Sequence, residues 1–419
     1  MTLMTSPALS LVGQEFQSPV STGDTSQRLR PAKDAREPLG SPIPLVDLNA
    51  EYAAIGGEID AAIREVIAST AFVRGPFARQ FDEEWARFSN ASYAIGCANG
   101  TAAIELALKA LGVGRGDEVI TTPFTFIATV EAIVHAGATA VLAEIDPDTC
   151  NLSPSATAAA VTPRTRAIMP VALYGQPADM TAFRELADAR ALLLVEDAAQ
   201  AQGASWGGRR TGSDGVADVS TFSFYPGKNL GAYGDAGAIT TSDGVLADRI
   251  LRLSDHGRRE KYTHDVVGYN QRIDGLQAAV LSAKLQHLED WNASRRRLAR
   301  RYDSMLADAQ ARGLLRAVLQ ADDARGVYHL YVIRISAPPL GPGRDRVLSA
   351  LRAAGVEAGI HYPIPVHLQP ALAYLGHGRG AFPEAERAAD EVLSLPIFPF
   401  MTQAQQDRVV AVLLEALGA

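Results

Sequence analysis

The sequence predicts an α/β protein in which helices cover a mostly parallel central sheet. Between residues 91 and 250, short apolar runs typical of strands alternate with segments of helical periodicity. The run 192–195 is apolar throughout, as expected for a parallel strand buried on both faces. A chain of 419 residues, 47% of them hydrophobic, also suits a large core with two lobes. The predicted strands are 93–96, 118–121, 139–144, 167–171, 192–196, 219–224 and 238–241.

The predicted organisation along the chain has three parts. Residues 1–43 contain many serines and several prolines without periodicity, and they are expected to form a disordered extension. Residues 44–290 are expected to form a large domain, with 44–60 free to pack on the smaller one. Residues 291–419 are expected to form that smaller α/β domain, from the segments 328–335, 346–354 and 402–417. Helices are predicted at 55–67, 104–111, 274–289 and 294–306.

Composition argues against several classes of function. The net charge of −8 argues against nonspecific binding to nucleic acid. No apolar run approaches the roughly 20 residues of a membrane span, and no His/Cys/carboxylate cluster has the spacing of a metal site. Cys97 and Cys150 are the only two cysteines, so no disulfide framework is needed and a reducing cytoplasm is the expected location.

Lys228 lies in an apolar, aromatic setting behind a predicted strand. The run 219–225 alternates and then becomes apolar, and Pro226-Gly227 ends it just before the lysine. An amine in such a place loses solvation of its charged form, so its pKa falls and it becomes a nucleophile for a carbonyl group. On this segment alone, a lysine that snorkels from a strand end to solvent is an equally good interpretation.

A carboxylate at the end of the preceding predicted strand favours the chemical interpretation. Glu196 and Asp197 follow the apolar run 192–195, and ligands of open α/β sheets bind at the carboxyl ends of strands. Together with a desolvated lysine one strand later, this suggests pyridoxal phosphate (PLP). Lys228 would form the Schiff base, and Asp197 would pair with the protonated pyridine nitrogen. Considered alone, Asp197 could instead be a helix N-cap.

Two further segments fit the phosphate and the ring of this cofactor. Gly100-Thr101 precedes the helical run 104–111, so it offers free backbone N–H groups, a hydroxyl and the positive end of a helix dipole to an anion. Ser223 adds a second hydroxyl, and the segment 122–129 places aromatic residues where a flat ring could stack. Each segment alone also fits a turn with an N-cap or core aromatics. Together with the lysine and the carboxylate, they favour the cofactor.

Two histidines and an arginine-rich run are interpreted as solvent-exposed rather than catalytic. His256 and His264 lie in a charged stretch and are interpreted as solvated loop residues. The arginine-rich run 295–301 lies on a predicted helix flanked by acidic residues and is expected to form a solvated face.

Ten short motifs occur in the order found in a known family. They are NGT (99–101), GDEVI (116–120), PFTFIAT (123–129), LYGQPADM (173–180), EDAAQA (196–201), FSFYPGKN (222–229), GYNQRID (268–274), LQAA (276–279), HYP (361–363) and LSLP (393–396). The set resembles the DegT/DnrJ/StrS family of PLP-dependent sugar aminotransferases over roughly residues 44–417. The resemblance implies fold type I, the aspartate-aminotransferase-like architecture.

The resemblance also implies roles for individual residues. Lys228 would be the catalytic lysine that forms the Schiff base with the cofactor, and Asp197 would lie on the pyridine nitrogen. The other cofactor-binding residues would be Gly100, Thr101 and Ser223 on the phosphate, Phe126 on the ring, Gln200 facing the phenolic oxygen, and Asn270 on the phosphate of the neighbouring subunit. The active unit would therefore be a homodimer with shared sites.

Candidate substrate contacts come from two places. Tyr225 lies three residues before Lys228. His361 and Tyr362 lie in a loop that the resemblance places near the mouth of the site, and whether they contact the substrate is left open. The chain departs from the family pattern at Ala172, where many relatives carry histidine, and at Asp255, where asparagine is common. These departures bear on substrate fit rather than on transamination itself.

The resemblance implies transfer of an amino group from L-glutamate to a nucleotide-linked keto sugar. The motifs are most similar to those of enzymes that aminate C-3 of a dTDP-linked 3-keto-6-deoxyhexose. Amination at C-4, of UDP-linked 3-keto sugars or of keto-inositols remains an alternative. A sugar dehydratase of this family would carry histidine in place of Lys228. A noncatalytic regulatory member is the alternative from another class.

Overall fold

A computed structural model describes residues 41–338 and 340–419. The predicted disordered extension, 1–43, lies outside the described residues except for its last three positions. The described residues belong to one compact unit, and the division into domains at 290 stays a prediction.

The described residues form helices and strands between Leu48 and Leu417. The helices are α1 (Leu48–Ser69), α2 (Pro76–Ser89), α3 (Gly100–Ala110), α4 (Ala128–His135), α5 (Pro154–Ala160), α6 (Met180–Arg190), α7 (Gly244–Ser254), α8 (Gly275–Leu285), α9 (Leu288–Met305), α10 (Ala307–Ala311), α11 (Arg344–Ala353), α12 (Pro383–Glu391) and α13 (Gln403–Leu417). The strands are β1 (Tyr93–Cys97), β2 (Glu118–Thr121), β3 (Thr139–Leu142), β4 (Thr165–Ile168), β5 (Leu193–Asp197), β6 (Ser205–Trp206), β7 (Arg209–Arg210), β8 (Val219–Ser223), β9 (Gly237–Thr241), β10 (Arg258–Glu260), β11 (Thr263–His264), β12 (Leu315–Ala317), β13 (Ala324–Arg325), β14 (Tyr331–Ile335) and β15 (Val392–Leu395).

The largest sheet has seven strands in the order β1-β9-β8-β5-β4-β2-β3. The pairs from β3 through β2, β4 and β5 to β8 are parallel, whereas β9 is antiparallel to both β8 and β1. Leu194 and Val195 of β5 are fully buried, because this strand has neighbours on both edges and packed layers on both faces. The prediction of an α/β fold with a mostly parallel sheet is confirmed, and each predicted strand lies within a few residues of an observed one.

A second sheet, β12-β14-β15, has its own core in the last part of the chain. The start of the described chain joins this core, since Ile43 is buried and its backbone pairs with Gly355 and Glu357. The Leu45 carbonyl oxygen also accepts a hydrogen bond from Ile397 N–H at 3.4 Å.

Two details of the predicted helices are corrected. The helix predicted over 274–289 ends at Leu285, and α9 begins at Leu288, because the His287 N–H turns back to the Lys284 carbonyl oxygen in a tighter, three-residue bond. The arginine-rich face of α9 is not wholly solvated. Arg295 is 2% exposed and donates to the Tyr328 and Ile397 carbonyl oxygens at 3.2 and 2.8 Å.

Candidate active site

Asp197 lies at the carboxyl end of the central strand β5. Its side chain is 3% exposed; Oδ2 accepts a hydrogen bond from the Thr129 hydroxyl at 2.8 Å, and Oδ1 accepts from the Ala199 N–H at 3.1 Å. Burial raises the pKa of Asp197, and these two hydrogen bonds oppose that rise. The carboxylate is therefore fixed in direction and ready to face a cationic group.

Lys228 is carried by a closed turn that follows β8, the parallel neighbour of β5. Phe222 and Phe224 are fully buried and meet the Trp85 ring edge to face, at centroid distances of 5.0 and 5.1 Å. The turn is closed by the Lys228 N–H, which donates to the Tyr225 carbonyl oxygen at 2.8 Å. The packing of Phe222 and Phe224 against Trp85 thus fixes the strand end and turn that carry Lys228 next to the end of β5.

The amine of Lys228 is prepared for nucleophilic chemistry. The residue is half-buried, and its enclosure lowers the pKa of the ammonium group to about 8, while the charge of Asp197 opposes the change. A lysine with this pKa supplies far more neutral amine near pH 7 than a solvated one, for which the ordinary value is 10.5.

The predicted phosphate cradle lies where α3 meets β8. Asn99 caps α3 by accepting a hydrogen bond from the Ala102 N–H at 2.9 Å. A Cβ built on Gly100 would lie 2.7 Å from the Ser223 Cβ, so only glycine lets the first turn of α3 approach the serine this closely. Thr101 is half-buried at the same helix end. Gly100, Thr101 and Ser223 are thus brought together at a helix N-terminus, as a phosphate site requires.

The aromatic and amide candidates lie on the loops around these strand ends. Phe126 is 55% exposed, and its ring centroid is 5.9 Å from that of Tyr362. Gln200 is buried; its Oε1 accepts from the Tyr174 N–H at 2.7 Å, and its Nε2 donates to the Tyr362 hydroxyl at 3.0 Å. His361 Nδ1 lies 2.8 Å from the Ser394 hydroxyl. The 361–362 loop is therefore tied to Gln200.

Tyr225 and Asn270 are exposed in the single chain. Asn270 does not join the group around Lys228 through any hydrogen bond among the described residues. Its neighbour Gln271 accepts a backbone hydrogen bond from Ala98 at 3.1 Å, so this segment runs beside the start of the phosphate cradle.

Two further residues of the site escaped prediction from the sequence. Thr129, which orients Asp197, lies in the PFTFIAT motif, and its hydroxyl lies 2.9 Å from that of Thr125. The four-residue spacing of these two threonines is a signal that the sequence offered. His329 is buried; burial, with Lys228 and Arg295 adding to it, lowers its pKa well below the usual value, so its ring is neutral. Nothing in its sequence context indicates this position.

Asp255, the departure noted in the sequence, lies in a basic cluster. It is 2% exposed and contacts Arg74, Arg258 and Arg272. The pKa of Asp255 is lowered, with burial opposed by the charges of these arginines. His256 and His264 are exposed in the same region, as predicted.

The residues at the strand ends fit PLP. Lys228, with its lowered pKa, suits the aldehyde of PLP, and the buried carboxylate of Asp197 suits the ring nitrogen. The helix N-terminus that a Cβ at Gly100 would block suits the phosphate, and the exposed ring of Phe126 suits the face of the cofactor ring. Among the described residues, no group of His, Cys, Asp or Glu could hold a metal ion, and no helix is long and apolar enough to span a membrane. Fold and site together define a PLP-dependent aminotransferase.

Comparison with known proteins confirms this class and gives the family. The model of the DegT/DnrJ/EryC1/StrS aminotransferase family matches residues 53–414, and the chain belongs to this family. PLP is accordingly its cofactor.

The chain is similar both to a protein named as a transaminase and to one named as a regulatory protein. It is 45% identical over 368 residues to the dTDP-3-amino-3,4,6-trideoxy-alpha-D-glucose transaminase of Streptomyces venezuelae, covering 88% of this chain and 94% of the relative. It is 44% identical over 373 residues to a pleiotropic regulatory protein of Geobacillus stearothermophilus, covering 89% and 98%. The crystal structure of DesV from S. venezuelae with a ketimine intermediate superposes with a TM-score of 0.86 at 44% identity, covering 90% of this chain and 99% of that one.

Proposed function

We propose that this enzyme transfers the amino group of L-glutamate to C-3 of a dTDP-linked 3-keto-6-deoxyhexose. The observation that carries the catalytic part is the half-buried Lys228, with its pKa of about 8, at a strand end beside the buried Asp197. The sugar and the carbon are supported by the 45% identity to a transaminase named for a dTDP-3-amino sugar.

When bound, PLP supplies an electron sink that stabilises negative charge at the carbon bearing the amine. The chain's own residues bind, orient and move protons. Asp197 keeps a negative charge directed at the position of the ring nitrogen, with Thr129 holding the carboxylate in place. Gly100, Thr101 and Ser223 provide N–H groups and hydroxyls for the phosphate.

Lys228 has two tasks. Its neutral amine would hold the cofactor, and the same amine, when not so engaged, would accept the proton that leaves the donor's carbon and, in the second half-reaction, donate a proton to the sugar's carbon. A pKa of about 8 allows both directions near neutral pH, because neither protonation state is strongly disfavoured.

An absorbance scan of the purified protein tests the cofactor assignment. We expect a visible band that borohydride removes, with the reduced cofactor on the Lys228 peptide. Glutamate should convert the same band to that of the pyridoxamine form. A protein that never takes up PLP would fit the regulatory alternative suggested by the name of the Geobacillus relative.

The acceptor is tested with a panel of keto sugars generated in situ. We expect the dTDP-linked 3-keto sugar to be preferred over UDP-linked 3-keto sugars, a 4-keto sugar and a keto-inositol. Preference for any of the last three would move the assignment to that acceptor while leaving the transaminase chemistry intact.

The proposal includes a homodimer in which Asn270 contacts the phosphate of the partner's cofactor. Its support is the exposure of Asn270 in the single chain, beside residues that begin the cradle. Asn270→Asp would place a negative charge beside the phosphate and weaken cofactor binding more than folding. Mixing Asn270→Asp with Lys228→Ala should restore activity, because one site of the mixed dimer then carries neither defect. No recovery after verified subunit exchange would place Asn270 at its own subunit's site or at none.

The reducing cytoplasm remains the proposed location. Its support is that Cys97 and Cys150 are both free and buried. Formation of a disulfide by the native protein would contradict it.

A further inference from the structure

A connected set of buried side-chain amides lies behind the Lys228 turn. Asn229, Asn292 and Gln202 are each at most 2% exposed. The Asn229 amide donates to Asn292 Oδ1 at 2.8 Å, and the Asn292 amide donates to the Gln202 carbonyl oxygen at 2.8 Å. The Gln202 amide in turn donates to the Ser223 carbonyl oxygen at 2.6 Å. These bonds link the residue after Lys228 to the end of the strand before it.

The same bonds reach the segment that carries Asp197. Gln202 lies five residues after Asp197, and its amide also donates to the Ala199 carbonyl oxygen at 3.1 Å. Ala199 N–H is one of the two groups that hold the Asp197 carboxylate. Asn292 therefore joins the turn after β5 to the turn after β8 through one side chain.

The backbone is shaped to admit Asn292 at this place. Gly203 has a φ of +85°, and a Cβ built on it would lie 2.9 Å from the Asn292 Nδ2 atom. Glycine at 203 thus serves both the left-handed backbone and the close approach of α9. The other donor bond of Asn229, to the Val327 carbonyl oxygen at 3.0 Å, completes the attachment of the lysine turn.

Burying three side-chain amides costs free energy, because each loses its hydration and needs hydrogen-bond partners to offset that loss. Their directional bonds do what an apolar contact does not: they fix the orientation of two loops relative to each other. We propose that Asn292 is a positioning residue that holds the Lys228 turn in register with the Asp197 turn. The inference rests on the proposed function, which makes Lys228 the lysine that reacts with the cofactor.

If the turn is held by Asn292, its loss opens the surroundings of Lys228 to water. The amine then regains solvation of its charged form, so less of it is neutral near pH 7. The effect is visible without turnover, as the pH dependence with which the cofactor-free enzyme attaches PLP to Lys228. Attachment is followed by absorbance and verified by borohydride reduction and mapping of the Lys228 peptide.

We expect Asn292→Leu, which removes donor and acceptor together, to move the midpoint of that pH profile upward by about one unit. This corresponds to roughly tenfold slower attachment near pH 7. Asn292→Ser, a smaller polar residue that cannot reach both partners, takes its place if Asn292→Leu does not fold. Leu298→Ala on the same helix α9 is the matched control, because Leu298 packs in the core of the second sheet. It should lower stability and leave the midpoint unchanged.

A double-mutant cycle separates this role from general loosening. Because Asn292 reaches the Lys228 turn through its bond with Asn229, the double variant Asn229→Ala/Asn292→Ala should shift the midpoint no further than Asn229→Ala alone. Additive shifts, or a wild-type midpoint in a folded Asn292 variant, would overturn the positioning role and leave the transaminase assignment standing. A wild-type enzyme that attaches no PLP to Lys228 would overturn both.

Discussion

Lys228 and Lys284 are two enclosed lysines that share one loop: Lys228 lies in it, and Lys284 contacts it at Gly231. Lys284 lies on α8; its side chain is 1% exposed, forms an ion pair with Glu51 and donates to the Gly231 carbonyl oxygen. Its amine also lies 5.3 Å from the centroid of the Tyr233 ring. Lys228, three residues before Gly231, has no hydrogen-bond or ion-pair partner for its amine within 41–338 and 340–419, and Asp197 acts on it only at longer range.

The difference separates a structural lysine from a reactive one. Burial lowers the pKa of both amines, but Glu51 counters the change at Lys284 by direct pairing, which keeps that lysine charged and bonded. At Lys228 the amine keeps its donors and its lone pair for a ligand. Lys284 in turn anchors the loop that carries the reactive lysine, because it donates to the Gly231 carbonyl oxygen. The next residue, Ala232, closes that loop by donating its N–H to the Phe224 carbonyl oxygen at 2.8 Å. A Cβ on Gly231 would overlap the Pro226 carbonyl oxygen, so the loop closes without space to spare.

The largest expected effect follows from removing the reactive lysine. Lys228→Ala should lower steady-state transamination by about 10⁴-fold or more, because the variant lacks both the attachment point and the acid–base group. It should still bind pyridoxamine phosphate, since the phosphate cradle and Asp197 remain. The measurement is turnover with glutamate and a keto sugar, with Lys109→Ala, at the far end of α3, as the control lysine. Normal turnover by Lys228→Ala would refute the site.

The next largest effect is expected at Asp197, whose charge acts on Lys228 without a direct bond. Asp197→Asn keeps the size of the side chain and its bond from Thr129, but the ring nitrogen loses its charged partner. We expect the cofactor to attach normally and the half-reaction with glutamate to slow by about two orders of magnitude, the scale of one removed electrostatic contact. Single-turnover absorbance measures it. A half-reaction near the wild-type rate would show that the carboxylate does not act on the ring.

Removing the structural lysine should affect stability first. Lys284→Met leaves Glu51 buried without its cation, and breaking such a pair costs about 3–5 kcal/mol. We expect a clearly lower urea midpoint, while the molecules that remain folded still attach PLP at Lys228. Lys284→Met/Glu51→Gln should recover part of the loss, because the unpaired charge is gone. A Lys284→Met protein with the wild-type urea midpoint would mean that the pair contributes nothing.

The smallest expected effect is a gain in stability when the Lys228 amine is removed, the opposite of the loss expected for Lys284→Met. In the cofactor-free enzyme the pKa of Lys228 is about 8, against 10.5 when solvated, so between these values the unfolded chain binds more protons than the folded one. Stability must then rise with pH across this window, and the penalty of enclosing the charge is fully present below pH 8. Lys228→Met should therefore raise the melting temperature near pH 7, with the gain shrinking toward pH 10.5. A gain that is constant with pH would show that the amine is not the cause.

Sequence patterns located the reactive lysine more readily than the structural one. Lys228 is preceded by an aromatic strand and a Pro-Gly break, which are local signals. Lys284 lies in a regular helix, and its partner Glu51 is 233 residues away in the chain (284 − 51), so no local pattern marks the pair. The strands of the large sheet were predictable for the same reason, since local patterns mark them: β5 follows an apolar run, and β8 alternates apolar with polar residues.

Arg295 shows where local patterns mislead. Its neighbours in the chain are arginines, which predicts a solvated face, yet its guanidinium is buried against three carbonyl oxygens supplied by Tyr328, His329 and Ile397. Those acceptors lie in the segments just before β14 and just after β15. The amide set around Asn292 was missed in the same way, because its members are assembled from three distant segments.

The buried cysteines make the chain convenient for site-directed labelling. Burial raises the pKa of Cys97 to about 12 and that of Cys150 to about 11, so neither thiol ionises readily at neutral pH. A single cysteine introduced at an exposed position, such as Tyr262 at 84% exposure on the β10–β11 hairpin, would be the one fast-reacting thiol. In the proposed homodimer, spin labels placed there would give the distance between the two copies of the chain directly, without first replacing either natural cysteine.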